Sequence, residues 1–279
     1  MAKVPETARG AYGLRIAGVD ARLLVEAPEH WPAMALERHV AAGAAPPPAL
    51  DAETAVIRLG DRGWAEFERG SCSVRLHTTE EIGDAELVHP FLAPIAATLG
   101  WWRGWHPAHA GAFLHDGLAW LVFGGNEAGK STLLAELALC GHGVVADDLA
   151  LLTPDGTVMA GPRAIDLRHP GAHERSALEV VRAGSRYRLR LGAVDAEARV
   201  GGWFALAWGD GVAVEALEAR RRLARFGRRA PHGTDPAVVL ALSALPGWRL
   251  ARPRSPAAID EALSRMLATA TDTAAGLRP

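Results

Sequence analysis

Between residues 50 and 80 apolar and polar positions alternate in short runs, Ala55–Leu59, Trp64–Glu68 and Cys72–Leu76, punctuated by Asp61-Arg62-Gly63 and Gly70. A period of two broken by turn residues predicts strands, here a small antiparallel sheet. The spacing then lengthens: Asp84 to Leu99 reads as helix, interrupted by Pro90 and Pro94, and runs into Trp101-Trp102-Arg103-Gly104-Trp105. Tryptophans so crowded predict core packing between that helix and the next strand. Two continuous apolar runs follow, Ala110–Leu114 and Ala119–Phe123, flanking His115-Asp116-Gly117-Leu118. Asp-Gly between apolar runs predicts a β-hairpin. If Leu114 faces Ala119, antiparallel pairing carries His109 to the side of Gly124.

Downstream, Ser131–Cys140 has leucines at helical spacing, which makes Cys140 a buried helix residue, and Gly141-His142-Gly143 ends that helix. Val144–Ala146 starts a strand that ends on Asp147 and Asp148 and continues through Leu149–Leu152 to a turn at Thr153–Gly156. Gly161–Arg168 brings Arg163 and Arg168 to a sheet edge as candidate phosphate or acid grips, and Arg186, Arg188 and Arg190 share one face of an alternating strand. A basic amphipathic helix is expected over Arg220–Arg229, with Leu217, Leu223 and Phe226 inward. Ser255-Pro256 should cap a terminal helix with the stripe Ile259, Leu263, Met266, Leu267. The fold class is therefore α/β: a P-loop core with mixed sheet over residues 101–279, preceded by a smaller β-rich α+β region over 1–100, with Ala41–Leu50 an extended Ala/Pro connector.

The chemistry concentrates in residues 124–148, GGNEAGKSTLLAELALCGHGVVADD. Gly124-x-x-x-x-Gly129-Lys130-Ser131 fits the phosphate-loop template between an apolar strand and a helix. Glycines let backbone N–H groups turn to phosphate, the lysine neutralises it, and the serine hydroxyl reaches Mg²⁺. The expected nucleotide contacts are Gly124, Gly125, Asn126, Glu127, Ala128, Gly129, Lys130, Ser131 and Thr132. Asp147 and Asp148 arrive one helix later at a strand end, where open α/β sheets bind ligands. Asp147 with Ser131 would hold the metal, Asp148 would accept the proton of an attacking hydroxyl, and His109 and Lys130 would sit at the transferred group. His106, His115 and His142 read as structural.

The strings His109-Ala110-Gly111, GGNEAGKST and GHGVVADD resemble the HPr serine kinase family and its phosphoenolpyruvate-carboxykinase-like relatives over roughly residues 100 to 170. The resemblance implies an active site of His109, Lys130, Ser131, Asp147 and Asp148, with ATP, Mg²⁺ and a serine hydroxyl as acceptor. Where those kinases carry an EIRGLG segment, residues 161–168 read GPRAIDLR, which argues against the HPr protein as substrate and against the reverse phosphorylase activity. Shortened proteins of this kind resemble tailoring kinases of ribosomally made peptides, lasso peptides among them, in which a serine of the precursor is phosphorylated. The resemblance also allows a homo-oligomer.

Composition trims the remaining classes. A net charge of −2 gives no electrostatic reason for nucleic-acid binding, and no apolar run suits a membrane span or a signal core, so a cytoplasmic, ATP-supplied compartment is expected. Cys72 and Cys140 lack metal-ligand spacing. Two other readings use the same loop: a nucleotide-binding regulatory or chaperone-like module without transfer, suggested by Asn126-Glu127, and a kinase acting on a small metabolite. A transporter-type ATPase fits poorly, because no LSGGQ-like signature is present and the aspartates come early.

Overall fold

The structure is a computed structural model that describes residues 8–40, 46–170, 178–181, 185–227 and 236–277. A first sheet is built from β1 (Arg9–Ala11), β2 (Leu14–Ala17), β3 (Val25–Glu26), β4 (Ala33–Val40), β5 (Ala49–Leu50), β6 (Thr54–Arg58), β7 (Gly63–Glu68) and β8 (Ser73–Thr78). Its order is β3-β1-β2-β4-β8-β7-β6-β5. The alternating runs form β6, β7 and β8, paired antiparallel as their short turns require. Yet β2–β4 and β4–β8 are parallel, so the expected antiparallel sheet is mixed. The long segments between those partners let the chain return in its original direction, which periodicity cannot reveal. Residues 41–45 of the Ala/Pro connector lie outside the described residues.

Helices α1 (Asp84–Glu86) and α2 (Leu92–Trp102) flank the predicted interruption. His89 is extended (φ −147, ψ 113) because proline at the next position disfavours the helical conformation. Pro94 causes no break, since it falls in the first turn of α2, whose N–H groups have no partner inside the helix.

A second sheet contains β9 (His106–Ala108), β10 (Ala110–His115) and β11 (Leu118–Phe123). Helix α3 (Lys130–Leu139) follows, then β12 (Val144–Ala146), β13 (Ala150–Leu152) and β14 (Thr157–Met159). Three further strands, β15 (Ala164–Leu167), β16 (Glu179–Val181) and β17 (Arg186–Arg190), make a separate small sheet in the order β15-β17-β16. The chain returns through β18 (Glu197–Trp208), β19 (Ala213–Ala216), α4 (Ala219–Gly227), α5 (Pro236–Ala244), β20 (Gly247–Arg252) and α6 (Ile259–Leu277). The second sheet runs β12-β10-β11-β18-β14-β13-β9, with β20 and then β19 attached through β18. β11 and β20 each pair in parallel with β18, and β10 is antiparallel to both of its partners.

β11 is apolar throughout because both of its faces are covered. Leu121 and Phe123 join a core that includes Trp31, Leu76, Leu92, Leu151 and Trp203, continuous from the first sheet to the second. Trp120 and Val122 join the core beneath α3 and α6, with Leu133, Leu137, Phe204 and Met266. The hairpin turn holds Asp116 (φ 50) and Gly117 (φ 76) in left-handed conformations, as a two-residue hairpin loop demands. Leu114 faces Ala119, as expected.

Several local expectations are corrected. Leu149–Leu152 does not continue β12: Asp148 (φ 64) turns the chain, and β13 pairs instead with β9 and β14. Cys140 is exposed at the end of α3. Leu223 is 42% exposed, so of the expected anchors in α4 it is Phe226 that is fully inward, while Arg228 and Arg229 lie outside the described residues. Ser255 makes no side-chain capping bond, although Ile259, Leu263 and Met266 are buried as expected.

The arginine face of β17 is divided by its surroundings. Arg188 is buried against Asp166 (Nε–Oδ1 2.7 Å, Nη2–Oδ2 3.0 Å) and also donates to the carbonyls of Ala85 and His89, tying the small sheet to the segment before α2. Arg190 pairs with Glu179 at the surface. Removing one member of a buried pair strands the other charge, so Asp166→Ala should cost about 3–5 kcal/mol in urea unfolding, whereas Glu179→Ala should cost less than about 1 kcal/mol.

Candidate functional site

Gly124–Gly129 links β11 to α3 at the C-terminal end of the parallel strands. Side chains are excluded at both ends of this loop: a Cβ on Gly124 would come 2.7 Å from the Ala128 methyl, and Gly129 (φ 83) would meet Arg252 Nη2 at 2.3 Å. Glu127 at the crest also has a positive φ of 62, and its carboxylate pairs with Arg168 at 2.5 Å. The hairpin register sets Ala110 opposite Phe123, which brings His109 beside Gly124.

Lys130 opens α3 and is only 6% exposed. Its ammonium donates to the carbonyls of Gly124 (3.1 Å) and Gly125 (3.4 Å) and lies 3.1 Å from His109 Nε2. His109 Nδ1 lies 3.0 Å from the Asp148 carbonyl oxygen. A carbonyl only accepts and an ammonium only donates, so the ring is neutral, with its proton on Nδ1 and a lone pair toward Lys130. One imidazole thus links the glycine loop to the acidic turn.

The two aspartates occupy different environments. Asp147 is 3% exposed; one carboxylate oxygen accepts from Ser131 Oγ at 3.1 Å, and the other, Oδ2, is buried without a partner among the described residues. Burial foremost, then the charge of Asp148, pushes its pKa up to about 8, against the opposing pull of Ser131 and Lys130. Asp148 is exposed, because its left-handed backbone turns the side chain outward.

A cavity of about 1560 Å³ adjoins these groups. Its lining includes His109, Gly125 to Thr132, Asp148, Arg168 and Arg186. Gly124 and Asp147 lie behind that surface rather than on it. Of the two candidate arginine grips, Arg168 reaches the cavity. Arg163 is buried and spends its guanidinium on the carbonyls of Val144 (2.6 Å), Val145 (3.3 Å) and Gly192 (2.8 Å), a structural role its sequence position did not disclose. Among the described residues no cluster of three or more His, Cys, Asp or Glu side chains could hold a metal by itself. Any ion here would draw most of its ligands from phosphate and water, as Mg²⁺ commonly does.

Two neighbours were not singled out from the sequence. Arg252, 4% exposed, lies with its guanidinium 4.6 Å from the centre of the Trp208 ring and beside Gly129; its Nε has no partner, and no carboxylate pairs with it among the described residues. Arg254 also lies over Trp208, at 5.0 Å. The sequence signal is faint: arginines at the end of one strand and a tryptophan at the end of another, joined by the Trp208–Arg252 register. The second neighbour is Tyr12, brought in by the first sheet.

No protein-family model matches the chain, and no curated protein matches it. The solved structure of the Hpr(Ser) kinase/phosphatase from Coxiella burnetii is similar at 14% identity, covering 56% of this chain and 91% of that one, with a TM-score of 0.31. A likeness of that size carries no argument about activity. No helix among the described residues is long and apolar enough to cross a membrane.

The Asp147 environment generates a pH dependence with a definite sign. Its folded acidity is weaker than in the unfolded chain, so the folded state holds a proton that the unfolded state releases, and stability falls as pH rises above the ordinary carboxylate range. Thermal melts of the metal-free protein should therefore decline between about pH 5 and about pH 8, and Asp147→Asn should flatten that slope. A slope unchanged in the variant would mean that Asp147 is ionised in the folded protein.

Proposed function

We propose that this protein is an ATP- and Mg²⁺-dependent kinase that transfers a γ-phosphoryl group to a hydroxyl, with a serine of a peptide or protein as the favoured acceptor. The observation that carries the reading is the convergence on one cavity of Lys130 with its partner His109, of Ser131, which is bonded to Asp147 behind the wall, and of the exposed Asp148. The cavity exceeds the roughly 300–1,000 Å³ usual for a small-molecule site, which leaves room for an acceptor segment beside a nucleotide.

The residues fit the absent groups. Lys130 is held on loop carbonyls where an incoming phosphate would draw it across, and the unpartnered Oδ2 of Asp147 next to a serine hydroxyl matches the donor set of a hydrated divalent ion. Buried Arg252, with no carboxylate partner among the described residues, adds positive charge behind Gly129. Mg²⁺ bound through Ser131 and Asp147 would neutralise charge on the phosphates. The loop amides and Lys130 orient the triphosphate, and the neutral His109 holds Lys130 in line with the acidic turn. The acceptor oxygen forms a bond to the γ-phosphorus as the bond to the bridging β–γ oxygen breaks. Its proton passes to the Asp148 carboxylate, and ADP departs.

Resemblance in the motifs 109–111, 124–132 and 141–148 favours peptide acceptors, tailored natural-product precursors among them. Arg168 and Arg186 on the cavity wall suit an acceptor with acidic neighbours. Incubation of serine-bearing candidate peptides with ATP and Mg²⁺, read by intact mass, should add one phosphate group to a serine. ATP hydrolysis without any transfer to peptide or metabolite would favour a regulatory nucleotide-binding module instead.

Two substitutions test the roles. Lys130→Ala should lower turnover at least about 10²–10³-fold, the usual cost of losing one transition-state donor; normal turnover would remove the loop from the chemistry. Asp148→Asn should keep nucleotide affinity in calorimetry while losing transfer, and the opposite split would exchange the roles of the two aspartates.

A further inference from the structure

β1 and β2 are joined by a two-residue turn, with Ala11 facing Leu14, and the turn residues are Tyr12 (φ 55) and Gly13 (φ 74). Glycine suits such a position; tyrosine does not, because a left-handed bulky residue is strained. The strain is held by the second sheet. Tyr12 N–H donates to the Ala160 carbonyl at 2.7 Å, and the Arg103 guanidinium reaches the Gly13 carbonyl at 3.4 Å. The Tyr12 ring lies over Gly161, where a Cβ would sit 2.9 Å from Cε1 and 3.1 Å from the phenol oxygen. Gly161 N–H in turn donates to Val145 of β12, two residues before Asp147.

The turn thus delivers a fully buried phenol against Gly161, which is bonded to the strand that leads into Asp147, and its hydroxyl has no partner among the described residues. Asp147 Oδ2 is likewise buried and unpartnered. Burial first, then the charges of Asp148 and Asp147, disfavours ionisation of the phenol, so the hydroxyl keeps its proton to donate. Two orphaned buried oxygens would each cost free energy if left unmatched, and a single ordered water, which both donates and accepts, can match both.

We propose that Tyr12 is a positioning residue for the acidic pair: its hydroxyl, through a bridging water, fixes the inner oxygen of Asp147 from below, so that the first sheet completes the metal site of the second. The inference rests on the kinase reading for the identity of the ligand. It also gives the N-terminal region a task, since a detached second sheet would lack this support. Groups of this kind orient the residues that hold a metal, and their loss typically weakens metal affinity by about 10–100-fold.

The experiment is Tyr12→Phe in the full chain, which removes one oxygen and keeps the ring that packs on Gly161. Calorimetry with ADP is run with and without Mn²⁺ or Mg²⁺, beside thermal melts of the metal-free protein. The expected result is metal affinity in the ADP complex about 10–100-fold weaker, metal-free ADP binding unchanged, and a melting temperature at or a little below that of the native protein, because the water keeps its bond to Asp147. Unchanged metal affinity would overturn the inference and leave Tyr12 as packing. Failure of Tyr12→Phe to fold would overturn it too, because the hydroxyl would then hold the fold rather than the metal site. If the native protein bound no ADP with or without metal, the kinase reading would fall and this inference with it, whereas unchanged metal affinity in Tyr12→Phe, when the native protein does bind ADP, overturns the inference alone.

Discussion

One register constraint governs the rest of the site: Leu114 opposite Ala119 across the β10–β11 hairpin. Since antiparallel partners advance in opposite directions, the tight turn at Asp116-Gly117 determines what stands beside Gly124 at the far end of the ladder, and that residue is His109. A slip of one position would point the imidazole to the opposite face of the sheet. With the register fixed, His109 Nε2 meets Lys130 and Nδ1 meets the carbonyl of Asp148, so the loop, the helix start and the acidic turn are held by one ring.

That ring stays in place because the strands beneath it are packed on both sides. Leu121 and Phe123 face the core shared with the first sheet, and Trp120 and Val122 face the core under α3 and α6. Close-packed surroundings resist displacement by even a methyl group, which gives the loop a rigid base from which to present its amides. Polar clamps extend the rigidity outward. Arg163 ties β12 to the segment at Gly192, and Arg188 with Asp166 ties β15 and β17 to the approach to α2. These buried arginines hold backbone carbonyls and a carboxylate, while Arg252 beside Gly129 has no carboxylate partner among the described residues.

The two acids illustrate how adjacent residues acquire different chemistry. Asp147 ends the strand course and points under Ser131, where burial disfavours its charge; Asp148 adopts φ 64 and turns out to the cavity. A left-handed aspartate costs strain, and here it separates a buried acid from an accessible one within a single peptide unit.

Much of this was legible because local rules act over short spans. The hairpin, the strand–loop–helix unit around Lys130 and the strand that ends at the acids follow from turn chemistry and periodicity over a few residues, and the pairing arithmetic placed His109. Long-range relations were not legible. Parallel pairing of β2, β4 and β8 depends on where the intervening chain travels, Arg163 and Arg188 are buried by segments distant along the chain, and Cys140 fell just past the last buried turn of α3. Sequence by itself determined which residue types stand at the loop and the acidic turn, since covalent spacing and backbone preference are local. Only the tertiary structure decided that Asp147 is buried while Asp148 is open, that Arg252 lies behind Gly129, and that a tyrosine from the first sheet packs on Gly161. Burial and field are sums over neighbours far apart along the chain.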